Sequence, residues 1–101
     1  MDISSMQKYV KQFSEEKGFH VNTTHTRTLY LVTEVGELAK EILSISFNPS
    51  EEKVSLVKEN IGLEMYDVIY NVLDLANRLE IDVENACRKK MEINKHRIWY
   101  E

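Results

Sequence analysis

The chain has 101 residues, of which 43% are hydrophobic and 30% charged, a composition typical of one globular domain and not of a disordered segment. Its net charge of −4 argues against a general nucleic-acid binder, which usually carries a basic face. A lone cysteine excludes an intramolecular disulfide, and the chain has neither an apolar run of membrane-spanning length nor a signal-peptide pattern. We therefore expect one cytoplasmic domain over residues 1–101 that binds neither nucleic acid nor a membrane.

Hydrophobic residues recur at helical spacing through most of the chain, and one proline and three glycines leave room for few turns. A first helix is predicted over residues 1–18, with Asp2 or Ser4 as its cap. A polar loop is expected from Phe19 to Thr26, and a second helix from about Thr26 to Ser46. The buried stripe of the first helix is predicted to consist of Met6, Tyr9, Val10 and Phe13.

The clearest break in the sequence is Phe47-Asn48-Pro49-Ser50, where Asn48 is predicted to cap a third helix with Pro49 in its first position. That helix extends to about Glu80, and Asp82 caps a final helix that ends near Arg97. These elements predict an all-α fold, a bundle of four helices. The third helix is apolar on more than one side, which in so small a chain indicates burial against a second copy, so we expect a homo-oligomer.

Acidic residues occur at i, i+3 spacing on two helices: Glu34 and Glu37 on the second, Glu64 and Asp67 on the third. On a helical wheel each pair lies beside an apolar arc, in the same phase. If the arcs pack together, four carboxylates meet at one rim, and hard oxygen ligands of this kind suit Mg²⁺. Asn71 extends the polar row of the third helix. The same spacing is common on solvated helix surfaces, where Glu pairs with Lys, so spacing alone leaves both interpretations open.

Basic residues gather near the C-terminal end of the last helix. Lys90 and Arg97 complement the helix dipole there. The functional alternative is that they reach phosphate oxygens, with Asn94 on the same face. His25, just ahead of the second helix, is a candidate for the mouth of a pocket.

Four segments, taken in order, carry a recognisable pattern: Glu34-Val-Gly-Glu37-Leu-Ala, Glu64-Met-Tyr-Asp67-Val-Ile, Leu75-Ala-Asn-Arg-Leu-Glu-Ile-Asp82-Val and Lys90-Met-Glu-Ile-Asn94-Lys-His-Arg97. Together they resemble the MazG-like nucleotide pyrophosphohydrolases, and among these the small single-domain members that include the dCTP pyrophosphatases. The resemblance covers about residues 25–98. An ExxE motif followed about 26 residues later by ExxD is far more specific than either pair alone.

The resemblance implies an all-α fold that assembles as dimers or tetramers. It also implies hydrolysis of nucleoside triphosphates to the monophosphate and pyrophosphate, dependent on Mg²⁺ with Mn²⁺ as the alternative ion, and a role in cleansing the nucleotide pool. By position, the metal ligands would be Glu34, Glu37, Glu64 and Asp67, with a catalytic role for the first two. The substrate contacts would be His25, Asn71, Lys90, Asn94 and Arg97.

Two positions depart from the family pattern. Thr33 stands where many members have a glutamate, which leaves the general base unassigned. Asn71 stands where some relatives have tyrosine, which leaves base and sugar selectivity open. Two alternative functions therefore remain: a non-catalytic helical module that binds nucleotide or a partner, and a pyrophosphohydrolase acting on phosphoribosyl-ATP.

Overall fold

The computed structural model describes residues 1–99, which form four α-helices and a short 3₁₀ turn. The helices are α1 (Ile3–Glu16), α2 (Thr24–Leu43), α3 (Glu51–Arg78) and α4 (Val83–Lys95), and the 3₁₀ turn (Phe19–Val21) joins α1 to α2. No strand occurs in these residues, so the predicted all-α class with four helices is confirmed. No helix of the described chain is long and apolar enough to cross a membrane.

Side-chain caps determine where the helices begin. Of the two candidates Asp2 and Ser4, Asp2 caps α1, and Asp82 caps α4 as predicted, because each carboxylate accepts a hydrogen bond from a backbone N–H of the first turn. Thr23 caps α2, which begins at Thr24 and not at Thr26. The region predicted as loop therefore contains the 3₁₀ turn and the start of α2.

The predicted start of α3 was wrong. Its cap is Ser50, whose Oγ accepts a hydrogen bond from the backbone N–H of Lys53 at 3.2 Å. Asn48 instead adopts a left-handed backbone with a φ of 48°, a conformation that asparagine tolerates better than most residues. Asparagine and serine are about equally good caps, so local preference could not separate the two positions.

The small buried core lies where α1 crosses the C-terminal half of α3. It consists of Val10 from α1 with Tyr70 and Leu73 from α3, and partly buried side chains surround it. α4 packs against α1 and places its first residue, Val83, against this core, while α2 and α3 form a long antiparallel hairpin. The chain therefore has a packed end and a hairpin that extends from it.

The seam of the hairpin, where α2 meets α3, contains charged residues. The less exposed positions of α2 recur every three or four residues and include Arg27, Glu34 and Glu41 beside leucines. The facing positions of α3 include Glu64 and Asn71. The contact face is thus rotated from the expected apolar arcs, which places Glu34 and Glu64 between the helices and not at a rim.

Candidate metal centre

Three carboxylates from α2 and α3 converge in the seam of the hairpin. One oxygen atom from each of Glu34, Glu64 and Asp67 lies within 4.8 Å of the other two. Glu34 and Glu64 are half-buried, and Asp67 is exposed at the edge. The structure therefore brings together three of the four carboxylates predicted as metal ligands. Their role as ligands stays a prediction.

The oxygen atoms of this cluster suit a divalent cation. Mg²⁺ holds oxygens at about 2.1 Å in an octahedron, so neighbouring ligand oxygens lie about 3.0 Å apart and opposite ones about 4.2 Å. The observed limit of 4.8 Å requires only a small closure of three flexible side chains. Oε2 of Glu64 is buried and has no hydrogen-bond partner among residues 1–99, which leaves this oxygen available to coordinate a cation.

The alternative interpretation of these residues, a solvated row of glutamates that pair with lysines, does not fit the seam between α2 and α3. The ion pairs within residues 1–99 use Asp74, Glu84 and Glu92 as their acidic partners, not the three clustered carboxylates. The cluster therefore keeps its negative charge uncompensated by the described part of the protein.

The electrostatics of Glu64 reflect this crowding. Partial burial raises the pKa of its carboxyl above the usual range, and the negative charges of Asp67, Glu34, Glu37 and Glu41 raise that pKa further, in this order. A bound cation would offset these negative charges and so cancel their contribution to the raised pKa. Such a perturbed acid in a cluster of like charges is typical of a functional site.

Glu37, the fourth predicted ligand, lies outside the group of three. Its side chain is exposed on α2, and its charge still reaches Glu64. Thr33, where the family pattern has a glutamate, donates its hydroxyl proton to the carbonyl of Leu29 at 3.1 Å within its own helix. Glu37 is therefore a better placed candidate than Thr33 for handling a proton near the cluster.

Asn71 is buried behind the cluster, with 4% of its surface exposed. Its Oδ1 accepts a hydrogen bond from Arg27 at 3.2 Å, and its Nδ2 donates to the backbone carbonyl of Asp67 at 2.8 Å. Both ends of the amide are used within the protein. The predicted substrate contact through Asn71 stays a prediction. In the structure, the amide of Asn71 links Arg27 to the backbone of Asp67.

An aromatic cleft opens beside Asp67. Its volume is about 390 Å³, and it is lined by Asp67 together with Tyr9, Phe13, Phe19, Tyr66 and Tyr70. The rings of Phe13 and Tyr70 meet edge to face, with centroids 6.0 Å apart. The sequence pattern indicated only that Tyr9 and Phe13 share one face of α1. That this face lies beside the third acidic motif depends on how α1 crosses α3.

The remaining predicted substrate contacts lie elsewhere on the chain. His25 is exposed in the first turn of α2. Lys90 and Asn94 lie on α4, which packs against α1, and Arg97 follows that helix with its guanidinium over the ring of Trp99 at 4.4 Å. These three residues stand on a different helix pair from the carboxylates, and their roles stay predictions.

Comparison with known proteins identifies the family. The family described as MazG nucleotide pyrophosphohydrolase domain matches residues 22–98, and the chain belongs to it. It is also similar to the uncharacterized protein YvdC of Bacillus subtilis (strain 168), with 28% identity over 97 residues, 91% of this chain and 92% of that protein. The resemblance inferred from the spaced acidic motifs is confirmed.

Proposed function

We propose that this protein hydrolyses nucleoside triphosphates to the monophosphate and pyrophosphate, using Mg²⁺ or Mn²⁺ held by Glu34, Glu64 and Asp67. The observation that supports this most directly is the convergence of three carboxylates within 4.8 Å, one of which, Asp67, also lines an aromatic cleft. Carboxylates suit a metal that grips phosphates, and aromatic faces suit a base. Membership of the MazG family supports the same reaction.

A divalent ion bound there would offset the charge of the triphosphate and make a coordinated water more acidic. The residues of the chain supply the rest. The rings of the cleft hold the base by stacking, which orients the phosphates toward Asp67. Glu37, exposed one turn beyond Glu34, orients the attacking water and accepts its proton.

Stacking accepts any base because every base has an aromatic face, so the cleft favours a broad substrate range and a role in cleansing the nucleotide pool. Release of pyrophosphate should be measured with canonical and modified ribo- and deoxyribonucleoside triphosphates, and with phosphoribosyl-ATP, in the presence of Mg²⁺. We expect Glu37→Gln and Asp67→Asn to lose most of the activity. Glu59→Gln, an exposed neutralisation on α3, is the matched control.

Equal turnover by the parent, Glu37→Gln and Asp67→Asn would show that the carboxylates do not carry the reaction. A parent that binds a triphosphate in calorimetry without consuming it would instead be a binding module. Preference for phosphoribosyl-ATP over every nucleoside triphosphate would instead identify a phosphoribosyl-ATP pyrophosphohydrolase.

The active form is proposed to be a homodimer or homotetramer. The chain exposes 7981 Å², whereas a compact monomer of this mass exposes about 6,000 Å². Much of the excess is apolar and lies on one face of the hairpin, on the side away from Asp67: Val32, Val35 and Ile42 of α2 with Met65, Ile69 and Val72 of α3, each between 41% and 66% exposed. A second copy is the occupant that removes this surface from water.

Light scattering coupled to size-exclusion chromatography tests this assembly. A parent that elutes as a monomer at micromolar concentration would refute it. In an oligomeric parent, Val35→Glu should lower the mass, because it places a charge in the middle of the apolar face. Glu52→Gln, exposed in the first turn of α3, should leave the mass unchanged.

A further inference from the structure

A buried charge network lies behind the aromatic cleft, outside the acidic cluster. Its centre is Asp74, whose side chain is 4% exposed. Asp74 lies between two arginines: Nε of Arg27 is 3.3 Å from its Oδ2, and Nε of Arg78 donates to the same oxygen at 2.9 Å. Burying three charges is costly unless each is paired, and apolar residues would often stabilise the same space equally well. The network therefore calls for an explanation other than stability.

One end of the network fixes the turn that carries a wall of the cleft. The guanidinium of Arg78 donates through Nη2 to the carbonyl of Phe19 at 2.9 Å and through Nη1 to the carbonyl of Asn22. Phe19 begins the 3₁₀ turn, and its ring lines the cleft. The planar fork of arginine holds two carbonyls in a fixed geometry, whereas the three donors of a lysine ammonium rotate on a flexible stem and impose no such plane.

The other end of the network reaches the acidic cluster. Arg27 lies against the rings of Phe19 and Tyr70, at 5.8 and 5.9 Å from their centroids. Its Nη2 donates to Asn71, which in turn donates to the backbone carbonyl of Asp67. A continuous chain of hydrogen bonds and ion pairs thus links the turn that carries Phe19 to the turn of α3 that carries Asp67.

We propose that Arg27, Asp74 and Arg78 are positioning residues, which set the aromatic wall of the cleft at a fixed place relative to the carboxylates. The assignment rests on the proposed function, in which the cleft holds the base and a divalent cation on the carboxylates would hold the phosphates. It goes beyond that function by giving a task to three residues that the proposed function places in contact with neither the base nor the phosphates. Loss of the network weakens substrate binding while leaving the chemical step and the metal ligands in place.

The test uses Arg78→Lys, which keeps the charge beside Asp74 and loses the fork to the two carbonyls. Arg88→Lys is the matched control, because the exposed side chain of Arg88 pairs with the partly buried Glu84 within α4 at 3.5 Å. We expect amide hydrogen exchange in a peptide spanning residues 18–24 to become about tenfold faster in Arg78→Lys only. The KM for a nucleoside triphosphate should rise about tenfold, with kcat within about twofold of the parent. The affinity for Mn²⁺ alone should be unchanged.

An unchanged KM in Arg78→Lys, or a fall in kcat at constant KM, would overturn the proposal. If Arg78→Lys does not fold, Arg27→Lys is measured with the same readouts, since it breaks the link to Asn71. A parent that binds a non-hydrolysable triphosphate but releases no pyrophosphate refutes the proposed function alone, and the dissociation constant of that analogue then replaces KM. A parent that neither binds nor hydrolyses refutes both proposals.

Discussion

Replacing Glu34 by glutamine isolates the charge of one carboxylate of the cluster. Glutamine keeps one oxygen atom and nearly the same shape. The substitution therefore removes one negative charge from beside a bound cation and changes little else. In the dielectric of bulk water, a divalent cation and a carboxylate charge about 3 Å apart attract by about 2.8 kcal/mol. That energy corresponds to about a hundredfold change in dissociation constant. Because Glu34 is half-buried in the seam, screening by water is weaker there, and the expected loss is at least of this size.

Calorimetric titration with Mg²⁺ or Mn²⁺ at neutral pH measures the change directly, with Glu59→Gln as the exposed control on α3. Pyrophosphate release is followed in parallel over a wide range of Mg²⁺ concentrations. We expect the Mg²⁺ concentration for half-maximal activity of Glu34→Gln to shift upward by the same factor. If Glu34→Gln bound the cation as tightly as the parent, the three carboxylates would not form a shared site, whatever their distances.

Three further predictions concern stability. Asp74→Asn leaves the buried Arg27 and the partly buried Arg78 without a counter-charge and should cost about 3 kcal/mol, a fall of about 15 °C in Tm. Glu92→Gln, at the exposed pair with His96, should cost less than about 1 kcal/mol; equal effects by calorimetry would mean that burial does not govern the network. Leu73→Ala, at a side chain 3% exposed, should cost about 3 kcal/mol in urea unfolding, and a loss under about 1 kcal/mol would place the core elsewhere. Because the pKa of Glu64 is raised, the folded protein takes up a proton at a higher pH than the unfolded chain does. Without divalent metal, the parent should therefore gain stability relative to Glu64→Gln as pH falls from 7 toward about 4.3. A difference in denaturation midpoints that stays constant with pH would contradict this.

The elements of the fold could be predicted because their signals are local. The caps at Asp2 and Asp82 depend on residues within one turn: Asp82 was predicted correctly, and Asp2 was one of two candidates, with Ser4 as the other. The start of α3 was not predicted correctly, because Asn48 and Ser50 compete for the same role and only the backbone of the loop selects the serine. The rotation of the α2–α3 contact was also missed, since both helices carry apolar residues on two sides and a wheel cannot say which side faces the other helix.

The convergence of carboxylates at the candidate site could be predicted in part for a similar reason, while their role as ligands stays a prediction. The i, i+3 spacing of acidic residues on α2 and α3 indicated Glu34, Glu64 and Asp67. The short loop between these helices makes them neighbours. Arg27 gave no such signal, because its partners Asn71 and Asp74 are more than forty positions away in sequence. The cleft depends likewise on α1 crossing α3, a long-range contact that periodicity does not contain.

The carboxylates in the seam have a mechanical consequence. The like charges of Glu34, Glu64 and Asp67 repel each other within a seam that is otherwise largely apolar, so a divalent ion held between them would act as a removable cross-link. Chelation would then loosen α2 from α3 before any substrate is involved, and the rigidity of the hairpin would follow the free Mg²⁺ of the surroundings.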